Sequence, residues 1–278
     1  MGARREAREA LAAAGLHPRR RFGQHFLCDR GVVQRIVDAA AVGPTSTVLE
    51  IGPGLGALTD TLAARAGRLY LVEIDRALAA RLVERHAATS HVTVLEGDVL
   101  ELGLDTLVPE DDVTVVGNLP YNISTPILFR LLALRARFPR AVVMLQREVA
   151  VRMTSKPGSK DWGILAVMLQ TFAEIRVAFG VSRRSFLPPP TVESAVVVVN
   201  WRATPRADIG SVDTYRAVVR GAFGQRRKML RNALAAEAEA RGVDVEAVLT
   251  GAGIDPRARA ETLTLDDFAR LSRTIDPG

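Results

Sequence analysis

The chain has 278 residues, 48% of them hydrophobic, and 37 basic against 31 acidic side chains give it a formal net charge of +6. That is enough apolar material for one large domain and a smaller one, and a basic excess carried almost wholly by arginine suits contact with phosphate and RNA. The lone cysteine, Cys28, excludes an internal disulfide and a cysteine-built metal site. The histidines His17, His25, His86 and His91 have no ligand spacing, so no metal is expected. No run approaches the ~20 apolar residues that span a bilayer. Arg4, Arg5 and Arg8 alternate with Glu6 and Glu9, which argues against a secretory leader and for a cytoplasmic protein.

Residues 1–21 read as a basic arm, helical or frayed, ending in Arg19-Arg20-Arg21. From 22 to 203 the runs Thr47–Ile51, Arg68–Ile74, Val92–Glu96, Val113–Val116, Ala141–Leu145 and Ala195–Asn200 alternate with helical patterns. Such βαβ alternation implies an α/β fold with a mostly parallel sheet and helices on both faces. Residues 204–278 contain no convincing strand and read as a small helical domain. Ligands of open parallel sheets bind beyond the carboxyl ends of the strands, so the loops after each run are where chemistry is expected.

The first run ends in Glu50-Ile-Gly-Pro-Gly-Leu-Gly-Ala57, whose glycines allow a tight turn and a close ligand approach. Gly52 and Gly54, with Ala57, also satisfy the loose dinucleotide fingerprint. The second run ends at Glu73, where a carboxylate can accept hydrogen bonds from two ribose hydroxyls. The third ends in Glu96-Gly-Asp98-Val99, and Asp98 can accept from an adenine amino group or simply close a turn. Carboxylates around an adenosine pocket favour a cationic cofactor over one that carries a pyrophosphate.

The fourth run delivers Asn118-Leu119-Pro120-Tyr121. An adenine amino group is a poor nucleophile because its lone pair is delocalised into the ring. Two acceptors aimed at its protons, Asn118 Oδ1 and a carbonyl of the Leu119-Pro120 segment, would draw the nitrogen toward tetrahedral geometry. Tyr121 could stack on the base.

Taken together, FGQHFL (22–27), EIGPGLG (50–56), VEID (72–75), GD (97–98), NLPYNIS (118–124), FLPPPTVESAVV (186–197) and FGQRRKMLRNAL (223–234) resemble the KsgA/RsmA family of small-subunit (16S) ribosomal RNA adenine dimethyltransferases. The resemblance covers about residues 20–275. It implies a Rossmann-like class I fold and transfer of two methyl groups from S-adenosyl-L-methionine to each of two adjacent adenosines near the 3′ end of 16S rRNA, leaving S-adenosylhomocysteine. It also implies an immature small ribosomal subunit as partner, a role in small-subunit biogenesis and a monomeric enzyme.

Carried over by position, the cofactor contacts fall on His25, Leu27, Gly52, Gly54, Glu73, Asp98, Val99 and Asn118, and the catalytic group on Asn118, Leu119, Pro120, Tyr121 and Phe186. Phe186 would join Tyr121 in holding an extruded adenine, or else plug the core beneath the Pro188-Pro-Pro190 segment. His25 stands where the family has asparagine, Thr191 and Glu193 where it has lysine and aspartate, and Trp162 where it has tyrosine, in a Thr154–Lys160 loop that could gate the target site.

Projected as one helix, Val218–Ala235 puts Arg220, Arg227 and Arg231 together, with Lys228 beside them, as an rRNA-facing stripe; Arg226 falls on the apolar side. Arg19–Arg21 form a second basic patch. Three other readings share parts of this pattern: a large-subunit rRNA adenine methyltransferase of the resistance type, a noncatalytic ribosome assembly factor, and an NAD enzyme.

Overall fold

The β-branched runs form the interior of a seven-stranded sheet in a computed structural model of the chain, which describes Arg5, Arg8, Glu9, Leu11, Ala12, residues 24–225 and residues 227–276. The Arg19–Arg21 patch and Arg226 lie outside the described residues. The strands are β1 (Phe26–Leu27), β2 (Thr47–Ile51), β3 (Arg68–Glu73), β4 (Val92–Glu96), β5 (Thr114–Asn118), β6 (Arg140–Gln146), β7 (Ala173–Val181), β8 (Phe186–Leu187) and β9 (Ser194–Trp201). Each run named above is a strand, displaced by no more than two residues at either end.

The large sheet has the order β4-β3-β2-β5-β6-β9-β7. Neighbours from β4 to β6 are parallel, and β9 joins β6 antiparallel. Val48, Leu49, Val115, Val116, Val142 and Val143 are fully buried, as expected where helices cover both faces of a parallel sheet and the strands read as unbroken apolar runs. β1 and β8 form a separate antiparallel ribbon that pairs Phe26 with Leu187 and Leu27 with Phe186.

Helix α1 (Arg30–Ala40) shows how the covering layer is specified. Asp29 caps it by accepting from the Gly31 and Val32 amides, and the chain leaves through a left-handed Ala41, so both helix ends are satisfied. Its buried face, Val32, Val33, Ile36, Val37 and Ala40, has the spacing of one helical side. That face packs into the cluster that contains Val48, Leu71, Val116 and Met144 of the sheet, each large side chain worth roughly 1.5–3 kcal/mol of burial. Then follow α2 (Thr59–Ala63), α3 (Arg76–Arg85), α4 (Leu104–Leu107), α5 (Ser124–Ala133), α6 (Arg147–Met153) and α7 (Ile164–Phe172).

The chain divides into two units: described residues up to Ala150 with Ile175–Trp201, and Val151–Glu174 with the residues from Arg202 onward. One boundary falls between Trp201 and Arg202, beside the division expected near 203, while 151–174, expected in the catalytic domain, group with the helical unit. Their apolarity explains it: α7 buries Leu165, Ala166, Val167, Met168, Leu169 and Phe172 and has no polar side to offer water. Thr171 Oγ1 meets Tyr215 Oη at 2.7 Å in the core of that unit, and burial pushes the Tyr215 phenol up to about 12. Trp162, expected in a gating loop, is instead fully buried, with Nε1 donating to Leu263 O at 3.0 Å.

The remaining helices are α8 (Val212–Gly224), α9 (Leu230–Ala233), α10 (Ala235–Glu239), α11 (Val245–Gly251) and α12 (Leu265–Ile275). The single helix expected over Val218–Ala235 is therefore broken: α8 ends at Gly224 and α9 begins at Leu230. The backbone amides after the break are satisfied elsewhere, Leu230 N by Ala258 O at 2.8 Å and Arg231 N by Pro256 O at 3.2 Å. These bonds replace the helical ladder that the periodicity had implied.

Candidate active site

Strand order places the site. From β2 the chain winds outward through β3 and β4, then returns to lay β5 on the other side of β2, so the crevice between β2 and β5 is the topological switch point. Gly117 lets these strands meet: a Cβ there would lie 2.6 Å from Ile51 O, inside any tolerable contact. The loops that follow β2 and β5 are thereby held side by side.

The cleft at this point is lined by Gly52, Pro53 and Gly54 after β2, Glu73 of β3, Asp98 and Val99 after β4, and Asn118 to Tyr121 after β5. Gln24, His25, Phe26 and Leu27 form its remaining wall. Every residue expected to contact a cofactor is therefore in one cavity. No lysine or arginine is among the described residues that line it. The cavity is acidic, with Glu50, Glu73 and Asp98 as its carboxyl groups.

Glu73 is 4% exposed and grips both its own turn and the glycine loop. Its Oε1 accepts from Asp75 N at 2.9 Å and its Oε2 from Gly54 N at 3.0 Å. Gly54 can bring its amide there because it adopts a positive φ of 58°. Burial raises the Glu73 carboxyl above the ordinary range, opposed by these backbone donors. Asp98 closes a turn by accepting from Leu100 N at 2.8 Å while still lining the cleft, so its two readings are compatible.

Asn118 is the last residue of β5, and its Nδ2 donates to His25 O at 2.9 Å. That bond orients the amide and leaves Oδ1 buried with no hydrogen-bond partner among the described residues. An unpaired buried acceptor costs roughly 1–3 kcal/mol, which a ligand N–H in the cleft would recover. Leu119 N donates to Met144 O at 2.9 Å, and Pro120 O accepts from Ile123 N at 3.2 Å. With the Pro120 carbonyl engaged in the turn, the Leu119 carbonyl is the stronger candidate for a second acceptor.

Tyr121 stacks on His25 with ring centroids 5.6 Å apart and planes 28° apart. Its hydroxyl meets Ser194 Oγ, and burial raises the phenol above its usual range. His25 is fixed further by its Nδ1, 2.9 Å from Pro188 O. The histidine in place of asparagine thus builds part of the wall that holds Tyr121. Phe186 is a correction: it is fully buried in the core cluster with Leu27 and Val116 and is absent from the cleft lining, so the core-plug reading describes it. Its partner across the ribbon is Leu27 of β1, and its side chain is fully buried.

Sequence reasoning passed over Glu50, Gln24 and Ser194. Glu50 is 1% exposed, accepts from Thr59 Oγ1 at 2.8 Å, and is pushed up to about 8, chiefly by burial. Its signal was a carboxylate inside the apolar run Thr47-Val-Leu-Glu-Ile51. Gln24 Nε2 donates to Asp75 Oδ2 at 3.1 Å, tying the wall segment to the start of α3; nothing in its local pattern marks it.

In the helical unit, Arg220, Arg227 and Lys228 are exposed, the first on α8 and the others in the turn after it. Arg231 is 3.1 Å from Glu246, so part of its charge is spent within the unit. No group of three or more His, Cys, Asp or Glu side chains among the described residues could hold a metal ion, and no described helix is long and apolar enough to cross a membrane.

A family model described as ribosomal RNA adenine dimethylase matches residues 15–276. A relative from Moorella thermoacetica named ribosomal RNA small subunit methyltransferase A is 46% identical over 270 residues, covering 94% of this chain and 93% of that one. Among solved structures, a dimethyladenosine transferase from Plasmodium falciparum matches with a TM-score of 0.77 and 26% identity over 89% of this chain and 96% of that one. The 23S rRNA methyltransferase ErmE matches with a TM-score of 0.66 and 30% identity over 90% of this chain and 99% of that one.

Proposed function

The chain belongs to the ribosomal RNA adenine dimethylase family, and from that premise we propose that it dimethylates the N6 amino groups of two adjacent adenosines near the 3′ end of 16S rRNA, on the immature small ribosomal subunit, with S-adenosyl-L-methionine as donor. The observation that carries the chemistry is the buried, unpartnered Oδ1 of Asn118 at the rim of an acidic cleft. The residues present fit such a cofactor: a glycine loop that admits it closely, Glu73 for ribose hydroxyls, Asp98 for an adenine amino group, and carboxylates rather than arginines around a cation. His25, Leu27 and Val99 supply the rest of its wall.

When bound, the cofactor supplies an electrophilic methyl group on a sulfonium. Everything else falls to the chain. Asn118 Oδ1 and the Leu119 carbonyl accept hydrogen bonds from the amino N–H groups of the target adenine and so concentrate its lone pair on nitrogen. Pro120 fixes the turn, and Tyr121, held by His25 and Ser194, offers a face for the base. A strong general base is unnecessary, because the alkylated amino group is acidic and releases its proton to water. Arg220, Arg227 and Lys228 meet rRNA phosphates, with Arg231 secondary because of Glu246. The enzyme works as a cytoplasmic monomer without metal, and its occupancy of the immature subunit serves small-subunit biogenesis.

The test is to incubate the protein with labelled S-adenosylmethionine and, separately, immature small subunits, large subunits and naked rRNA, then quantify dimethyladenosine. Label in small subunits is the expected result. Label only in large subunits would overturn the target and favour the resistance-type reading, while specific binding without label would leave an assembly factor.

A further inference from the structure

Glu50 lines the cleft but has no part in the roles assigned so far. It sits one residue before the end of β2, and its carboxyl is held by Thr59 Oγ1. The titratable groups that face it among the described residues include no lysine or arginine. They are Glu73 from β3 and Asp60 from α2, with Asp98, His25 and Tyr121 around the same cleft. Asp60 is partnered by Arg85, whereas no lysine or arginine is among the described residues that line the cleft. An ionised carboxylate buried in such surroundings lacks a counter-charge among the described residues.

We propose that Glu50 is the charge-selecting residue of the cleft: it favours the sulfonium-bearing cofactor over the uncharged thioether product, and so promotes the exchange of spent for fresh cofactor between successive methyl transfers. This rests on the reading of the cleft as the S-adenosylmethionine pocket. In the free protein the Glu50 carboxyl, pushed up to about 8 by burial, holds its proton at neutral pH. A cation entering the cleft favours the ionised form, and the proton passes to solvent. Transfer of the methyl group removes the positive charge from sulfur, Glu50 takes a proton back from solvent, and the product loses that attraction. Cofactor and product share the same adenosine and amino-acid ends, so the selection acts on the one feature that differs between them.

Calorimetric titration of S-adenosylmethionine and S-adenosylhomocysteine into the full chain, in buffers of different ionisation enthalpy, measures both affinity and proton release. Near pH 7 the cofactor should release about one proton per site and the product almost none. In Glu50→Gln the difference in proton release should vanish, and the cofactor-to-product affinity ratio should fall about tenfold. Equal proton release by both ligands in the wild-type protein overturns the proposal without any variant. An unchanged ratio in a folded Glu50→Gln overturns it as well. Failure of either ligand to bind the wild-type protein removes the pocket reading itself, and the proposal with it.

Discussion

Replacing Asn118 with alanine removes an acceptor from the cleft and a donor from the wall in one step. The acceptor, Oδ1, is buried and unpaired in the protein alone, so its loss costs the resting fold nothing in hydrogen bonding. Loss of Nδ2 leaves His25 O without its 2.9 Å donor, a penalty of about 1 kcal/mol. The larger effect belongs to the reacting state, in which the amino group has its greatest need of an acceptor. Removing one preoriented polar group of this kind typically costs about 3–4 kcal/mol, or roughly 10²–10³ in kcat. Single-turnover transfer of labelled methyl groups to immature small subunits should therefore slow by that factor, with cofactor affinity changed no more than a few-fold and subunit association retained. A raised KM at an unchanged single-turnover rate would refute the assignment, because it would mean that Asn118 binds ground state and transition state equally.

Further outcomes follow from the same geometry. Arg227→Glu with Lys228→Glu should weaken binding to immature small subunits and reduce the slope of log affinity against log salt by roughly 1–2; a binding curve that keeps its salt slope would exclude this turn from the interface. Gly117→Ala puts a Cβ 2.6 Å from Ile51 O. It should lower stability in urea denaturation by about 1–3 kcal/mol and cut methyl transfer through displaced Asn118, so wild-type behaviour in both assays would contradict the close approach of β2 and β5. Burial raises Glu50 from 4.5 to about 8. Between those pH values the native state holds a proton that the unfolded chain has lost. This contribution to stability is full below about 4.5 and lost as pH rises through about 8. Glu50→Gln should therefore flatten the fall of unfolding free energy across that range, and an unchanged pH profile would show that the buried carboxyl is not its source.

Much of the fold was legible because its signals are strong and local. Val48, Val116 and Val142 lie in strands buried on both faces, and a continuous β-branched run has few other uses. β7 escaped notice because Glu174 and Arg176 interrupt its apolar residues, as an edge strand with one wet side permits. The two-residue ribbon of β1 and β8 is too short to carry a period, yet it determines where His25 stands and where Phe186 is buried. The break after Gly224 depends on carbonyls from Pro256 and Ala258, partners some thirty residues away by the sequence count, which no helical projection can include. Among the site residues, the loops after strands could be found by rule. Burial could not: Phe186 is enclosed in the core rather than set in the cleft wall, and the buried Glu50 carboxyl drew no reading at all.

The same geometry separates methyl transfer from the dinucleotide chemistry that Gly52, Gly54 and Ala57 would also permit. A pyrophosphate needs free amides at the turn between strand and helix, and favours positive charge nearby. Here the Gly54 amide donates to the Glu73 carboxylate, and the described cleft lining adds Glu50 and Asp98 and includes no arginine or lysine. An anion in this loop would displace a hydrogen bond already made and face carboxyl groups. A cation would meet the reverse situation, since its charge stabilises ionised Glu73 and Glu50, both held high by burial. The glycine spacing therefore admits two cofactor classes, and the acids set around it select between them.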